Sequence, residues 1–236
     1  MIDELNTLLE PYQIKCNGKQ LEQFQLFYHL LLEWNQKMNL TSIIDPEEVL
    51  IKHFFDSITP SFYFSFQQQK MIDIGAGAGF PSIPLKICFP DLELTMLDSL
   101  KKRITFLDHV SEKLRLSKIK AIHGRAEEIG HNNQFRQHFD IAISRAVARL
   151  NVLSELSLPF IKIGGSMIAL KGAIAIEELK EADHAIKILG GSEIKDHFFQ
   201  LPKEYGERTI IILTKGKTTP NQYPRKPGVP NRQPIK

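Results

Sequence analysis

The sequence predicts an α/β fold: a mainly parallel sheet with a terminal antiparallel strand, preceded by an N-terminal helical extension. Three observations predict it. Residues 1–69 repeat apolar side chains at helical spacing, and residues 70–214 alternate short β-prone runs with helical stretches. A glycine-rich turn joins the first β-prone run to the helix that follows it. At 236 residues the chain suits one sizeable domain with appendages. The expected regions are the helical extension (1–69), the main domain (70–214) and a basic, proline-rich tail (215–236).

In the extension, Leu5, Leu8 and Leu9, then Leu21, Phe24, Phe27, Leu30, Leu31 and Trp34, recur near three- and four-residue intervals. Asp45-Pro46-Glu47-Glu48 is a helix start, with an N-cap acid, proline in the first turn and acids beside it. That helix should run through Val49, His53, Phe54 and Ile58 to Pro60. A polar break, Gln67–Lys70, closes the region. The expected strands are KMIDIG (70–75), LELTML (92–97), KIKAIH (118–123), FDIAIS (139–144) and SMIALK (166–171). Ile104, Leu107, Val110 and Leu114 mark the buried face of a helix opened by Lys101, Lys102 and Arg103. A strand near His197–Phe199 and the run RTIIILT (208–214), joined through Tyr205-Gly206 without a helix, should pair antiparallel. Five prolines in the last 22 residues predict a tail without regular structure.

Composition removes several classes. With 42% hydrophobic and 24% charged residues the chain is an ordinary globular one. No apolar run reaches the ~18 residues of a membrane span, and the acidic N-terminus is unlike a signal peptide. Cys16 and Cys88 cannot form a disulfide scaffold or a cysteine-rich zinc site. A cytosolic location is expected. The net charge of +3 conceals an asymmetry: residues 1–69 carry nine acids and four bases, residues 215–236 six bases and no acid. The stretch 101–125 adds eight bases against Asp108 and Glu112. Clustered positive charge suits a polyanion through phosphate neutralisation, although a solvated helix face and a ragged tail explain the same composition.

The segment Asp73-Ile74-Gly75-Ala76-Gly77-Ala78-Gly79-Phe80 carries the most information. Its place between strand and helix is that of a nucleotide-binding turn, where glycines permit close backbone approach to a ligand. Asp73, at the strand end, can meet a cationic group. Asp98 closes the next strand and can hydrogen-bond a ribose diol. A dinucleotide site requires a third small residue where this chain has Phe80. S-adenosyl-L-methionine has ribose and adenine with a sulfonium and an amino-acid end in place of a pyrophosphate, so this methyl donor is the better candidate.

The reaction is narrowed by what is missing. The sequence holds no phosphate-binding P-loop, and His123, His131 and His138 have no ligand-spaced partners, so no metal is expected. Cys88 reads as core and Cys16 lies far from the loop, which leaves no favoured cysteine nucleophile. After the fourth strand stands Ser144-Arg145-Ala146-Val147-Ala148-Arg149, whose guanidinium groups suit phosphate or guanine. Guanine N7 already exposes a lone pair, so alignment and desolvation can drive methylation without a general base.

Asn39-Leu40-Thr41, HFFDS (53–57), DIGAGAGFPSIPLK (73–86), LDSLKKRITFL (97–107), GRAEEI (124–129), SRAVARL (144–150), ALKG (169–172) and YPRKPGVP (223–230) together resemble the RsmG (GidB) family. These are the ribosomal RNA small subunit methyltransferases G, and the likeness spans nearly the whole chain. The resemblance implies a class I, Rossmann-like methyltransferase fold and methyl transfer from S-adenosylmethionine to N7 of a guanosine in 16S ribosomal RNA. It implies donor contacts at Gly75 and Phe80, adenine-side contacts at Ala126 and Glu127, and a further contact at Arg145. Gly77, Gly79 and Asp98 join the donor set on the physical grounds above. The partner would be 16S ribosomal RNA in the small ribosomal subunit, met by a monomer without membrane or metal.

Arg145 and Lys171 are the best positioning candidates; Lys171 closes the fifth strand on the ligand-binding edge, where a solvated lysine is the plain alternative. The RNA-facing set is Lys101, Lys102, Arg103, Arg149, Lys171, Arg225 and Lys226. His53 and Asp56, three apart on one helix, either bond each other, approach the site, or form a surface pair. Trp34, Phe24 and Phe27 read as helix core, not as a base-stacking platform. Two other functions remain open: a nicotinamide-dependent oxidoreductase and a non-catalytic RNA-binding factor.

Overall fold

The computed structural model describes residues 2–173 and 176–236. Among the described residues seven strands form one sheet in the order β3-β2-β1-β4-β5-β7-β6. They are β1 (Lys70–Ile74), β2 (Glu93–Asp98), β3 (Ile119–His123), β4 (Phe139–Arg145), β5 (Ile161–Lys171), β6 (Gly191–Gln200) and β7 (Glu207–Lys215). The first five pair in parallel, and β7 inserts antiparallel between β5 and β6. The expected antiparallel strand is therefore last in the chain but one place in from the sheet edge. The sheet's parallel part with an antiparallel terminal pair is the arrangement that the sequence predicts.

The extension holds α1 (Asp3–Leu9) and α2 (Gly18–Met38). Asn17 and Gln20 form a reciprocal capping box that starts α2, and Asn39, in a left-handed conformation, stops it. A continuous helical run follows: α3 (Pro46–Glu48), a π-helical stretch Val49–Phe55 and α4 (Asp56–Ile58). Asp45 caps it through the amides of Glu47 and Glu48, as the start signal predicts. The π-helical stretch is buried at every residue except Lys52, and such wide turns recur at functional sites.

Helices α5 (Ser82–Cys88) and α6 (Lys101–Lys113) cover one face of the sheet together with the extension. Phe24, Phe27 and Phe54 share that core with Phe80 and Phe106; Trp34 packs on Phe106. These aromatics are core, as their spacing predicts. On the other face lie α7 (Ala126–Ile129), α8 (Leu150–Ser157) and α9 (Ile176–Ile188).

The tail corrects an expectation. Its prolines exclude a strand, yet it is docked along α7 and α8 and includes the short helix α10 (Val229–Arg232). Apolar burial of Pro224 and Pro230 and a buried acid on α8 hold it there. Its charge is also partly spent internally. Lys215 is buried and donates to the Leu158 and Leu189 carbonyls, and Arg225 pairs with Glu155. Lys217, Lys226, Arg232 and Lys236 stay exposed. Among the described residues no helix is long and apolar enough to cross a membrane.

Candidate active site at the C-terminal edge of the sheet

Parallel strands deliver their C-terminal ends to one edge, and ligands of α/β folds bind in the crevice there. That edge carries Asp73 and the glycine loop after β1, Asp98 at the end of β2, and α7 after β3. Arg145 ends β4 and Lys171 ends β5.

The loop is pinned by the neighbouring strand: the amides of Gly75 and Ala76 donate to the Leu97 carbonyl at 2.8 and 3.1 Å. Gly75 has φ +74°, and a Cβ there would lie 2.8 Å from Val147 Cγ2 in the loop after β4. Gly79, at φ +86°, would collide with Ile83 Cδ1 at 2.4 Å. Glycine is thus required twice, for conformation and for close packing. Gly77 donates its amide to Asp98 Oδ2 at 2.9 Å. Asp98, nearly fully buried, also accepts from the Leu100 amide at 2.8 Å and from Arg103 Nη1 at 3.3 Å. Arg103, expected to face RNA, instead supports this carboxylate.

Asp73 lies beneath the loop, fully buried, with neither carboxylate oxygen hydrogen-bonded; Ser82, next to it, also has an unpartnered hydroxyl. Burial pushes the Asp73 pKa up to about 7; Ser82, close by but without hydrogen-bond geometry to either oxygen, and the positive charge of Arg145 pull the other way. Buried polar groups are nearly always paired, so an unpaired carboxylate at this edge marks a place for a cationic or hydrogen-bonding ligand.

Phe80 departs from expectation. Its ring turns from the loop into the extension, stacked on His53 at 4.5 Å and packed on Phe27 at 5.2 Å. The Arg145 guanidinium lies over the same ring, 5.1 Å from its centroid. An apolar ring gains more in this aromatic interface than at a polar ligand, which leaves the Phe80 backbone, not the ring, as part of the loop.

Arg145 is held from four sides. Nη1 donates to the Lys52 carbonyl at 3.0 Å and to Asp56 Oδ2 at 2.9 Å, and Nη2 meets His53 Nδ1 at 3.3 Å. Burial draws the Arg145 pKa down, and Asp56 opposes that shift. Nδ1 of His53 also stands 3.3 Å from the Lys52 carbonyl, and Nε2 lies 2.8 Å from Thr41 Oγ1; a guanidinium can only donate, so the Arg145 contact uses Nδ1 as an acceptor. Burial, reinforced by Arg145, lowers the His53 pKa to about 3 and keeps the ring neutral. His53 and Asp56 therefore meet on Arg145 and not on each other, and both are buried. Asp56 Oδ1 also accepts from Arg208 Nε at 3.1 Å. Sequence reasoning missed Arg208; a lone arginine opening the apolar run of β7 was the available signal.

Lys171 also departs from its expected role. Its Nζ donates to the Ala148 carbonyl at 2.7 Å and to Glu178 Oε1 at 2.6 Å, tying down the loop after β4. Glu178 Oε1 also accepts the Leu150 amide at 2.7 Å. Lys101, Lys102, Arg149 and Lys226 are exposed at or near this edge; Arg149 stands 3.3 Å from Glu181. Arg225 is occupied by Glu155. Ala126 and Glu127 are buried at the start of α7, and Glu127 Oε1 accepts the Gly228 amide at 3.0 Å. A cleft of about 410 Å³ beside Arg145 is lined by Lys52, His53, Asp56, Lys171 and Arg208 among others. His123, His131 and His138 are exposed, and among the described residues no group of three metal-ligating side chains comes together.

Comparison with known proteins places the chain in a family. A family model described as GidB, rRNA small subunit methyltransferase G, matches residues 20–210. A ribosomal RNA small subunit methyltransferase G from Geobacillus sp. (strain WCH70) is 53% identical over 233 residues, 98% of each chain. Its counterpart from Bacillus thuringiensis (strain Al Hakam) is 52% identical over 99% of this chain and 98% of its own. Among solved structures, an SAM-dependent O-methyltransferase from Thermotoga maritima superposes with TM-score 0.53 at 14% identity, covering 80% of this chain and 72% of its own. M. jannaschii TYW2 in complex with AdoMet gives 0.52 at 15% identity, over 68% and 74%. At such identities the structures speak for the fold. The sequence relatives speak for descent: this chain belongs to the GidB family of rRNA small subunit methyltransferases G.

Proposed function

We propose that the protein is an S-adenosylmethionine-dependent methyltransferase that methylates N7 of a guanosine in 16S ribosomal RNA of the small subunit, acting as a monomer. The observation that carries this reading is the buried, unpaired Asp73 carboxylate at the end of β1, beneath a loop whose glycines hold positive φ. A donor with a cationic amino-acid end would satisfy that carboxylate. The residues fit the donor elsewhere too: Asp98 has acceptor capacity for a ribose diol, and Ala126 and Glu127 flank the neighbouring position.

When bound, S-adenosylmethionine supplies a sulfonium methyl, and its transfer leaves a thioether and a positively charged purine. The chain's part is alignment and exclusion of water. Asp56, His53 and Phe80 fix the Arg145 guanidinium at the mouth of the cleft, where it can meet a guanine acceptor or a flanking phosphate. His53 is neutral and committed to Thr41 and Arg145, so it acts as a support and not as a base. N7 carries no proton, so none has to be removed.

Family membership removes the basis for the oxidoreductase alternative. The decisive experiment supplies labelled donor to small subunits lacking the modification and maps the product. N7-methylguanosine is expected; a methyl at any other atom overturns the reading. Donor binding by calorimetry separates the enzyme from a non-catalytic RNA-binding factor.

A further inference from the structure

The C-terminal tail lies against the helices that carry two loops of the donor site. We propose that residues 219–235 are a strap that sets the adenine-side wall of that site, with Arg225 as its positioning residue. This rests on the donor site described under the proposed function.

Four contacts tie the strap to both helices and to the segment just beyond α7. Arg225 grips Glu155 of α8 with its backbone amide at 2.8 Å, Nε at 2.9 Å and Nη2 at 2.6 Å. The Glu155 side chain is 1% exposed, so this acid has no solvent to fall back on. Three residues on, the Gly228 amide donates to Glu127 at the start of α7. Arg136, just beyond α7, bridges the Gly130 and Tyr223 carbonyls with Nη1 at 2.9 and 2.8 Å. At the far end, Asn151 of α8 donates to the Ile235 carbonyl at 3.1 Å.

Helix α7 follows β3 and α8 follows β4, so the strap fixes the spacing of two loops on the ligand edge. A phosphate would have to compete with a buried, multiply bonded carboxylate for Arg225, whereas the adjacent Lys226 is exposed. Arg225 therefore serves the donor side, and RNA attraction falls to Lys226 and its exposed neighbours.

The test compares full-length wild type, Arg225→Gln and Arg225→Lys by donor calorimetry and steady-state kinetics on small subunits. Arg225→Gln should raise the donor Kd and donor KM about tenfold, with kcat at saturating donor within about twofold. The subunit KM and its salt dependence should not move, and Arg225→Lys should recover most of the donor affinity. An unchanged donor Kd overturns the proposal, as does a raised subunit KM with normal donor binding, the signature of a phosphate contact. If Arg225→Gln does not fold, hydrogen exchange of the wild type decides: donor should slow exchange in the peptide spanning 223–233, since coupling is reciprocal. No slowing overturns the strap. Wild type that binds no donor defeats both readings, whereas wild type and Arg225→Gln that bind donor equally defeat the strap alone.

Discussion

Asp56 Oδ2 accepts from Arg145 Nη1 at 2.9 Å, and its Oδ1 accepts from Arg208 Nε at 3.1 Å. One carboxylate of the helical extension is thus shared by two arginines, from the end of β4 and the start of β7. The Arg145 side chain is 15% exposed and that of Asp56 3%. Removing one member of a buried pair leaves the other charge uncompensated, which typically costs about 3–5 kcal/mol. Asp56→Ala should lower stability by that order in chemical denaturation and reduce turnover with it. A loss of under ~1 kcal/mol would assign the pair the small value of a surface bridge.

Gly75 and Gly77 both hold φ above +50°, so alanine at either incurs left-handed strain of about 1–2 kcal/mol. Only at Gly75 does the added Cβ also strike Val147; at Gly77 the nearest atom is the Gly75 carbonyl oxygen, 3.8 Å away. Gly75→Ala should therefore lose more thermal stability than Gly77→Ala, while both should weaken donor binding because both strain the loop that the donor would meet. Equal melting temperatures would mean that the loop after β4 yields freely.

Asp73 predicts a proton signature. Burial favours its neutral form in the free protein and lifts the pKa to about 7, and a cationic ligand would favour the carboxylate and pull it down again. Donor binding at pH 7 should then release about half a proton, and affinity should rise as pH climbs from about 6 to about 7. Calorimetry in buffers of different ionisation enthalpy measures the release directly. Asp73→Asn should abolish it; a release that persists in that variant belongs to another group.

The sequence made the sheet legible because its signals are local. The central strands are short apolar runs, the helices that start at Gly18 and Pro46 carry side-chain caps, and the Asp73–Phe80 turn carries its glycines where the backbone takes positive φ. The side-chain assignments were harder to read because they depend on which partner the fold brings to each base. Lys171 and Arg103 stand at the ligand edge, as expected, but Glu178 and Asp98 claim their charges. Arg225 reads as one base in a basic tail until Glu155, 70 residues earlier, appears beneath it. Phe80 sits in the predicted loop, yet its ring follows the aromatic cluster of Phe27 and Phe54. Periodicity reports which face is buried; it does not report which carboxylate waits behind a given base.

That distinction can be measured on the lysines. Lys101 and Lys102 are exposed at the start of α6, with no ion-pair partner among the described residues, so they are available to phosphate. Each lost contact to single-stranded RNA should flatten the log–log salt dependence of subunit binding by about 0.7. The Lys101→Ala/Lys102→Ala pair should weaken binding at low salt, reduce that slope and leave donor affinity unchanged. Lys171 is expected to behave in the opposite way. Lys171→Met removes the tie between the Ala148 carbonyl and Glu178 and so loosens the loop that presents Arg145 and covers Gly75. Its slope should match wild type while kcat falls and stability drops, because half-buried Glu178 loses its partner cation. A flattened slope in Lys171→Met would return this lysine to the RNA-contacting set.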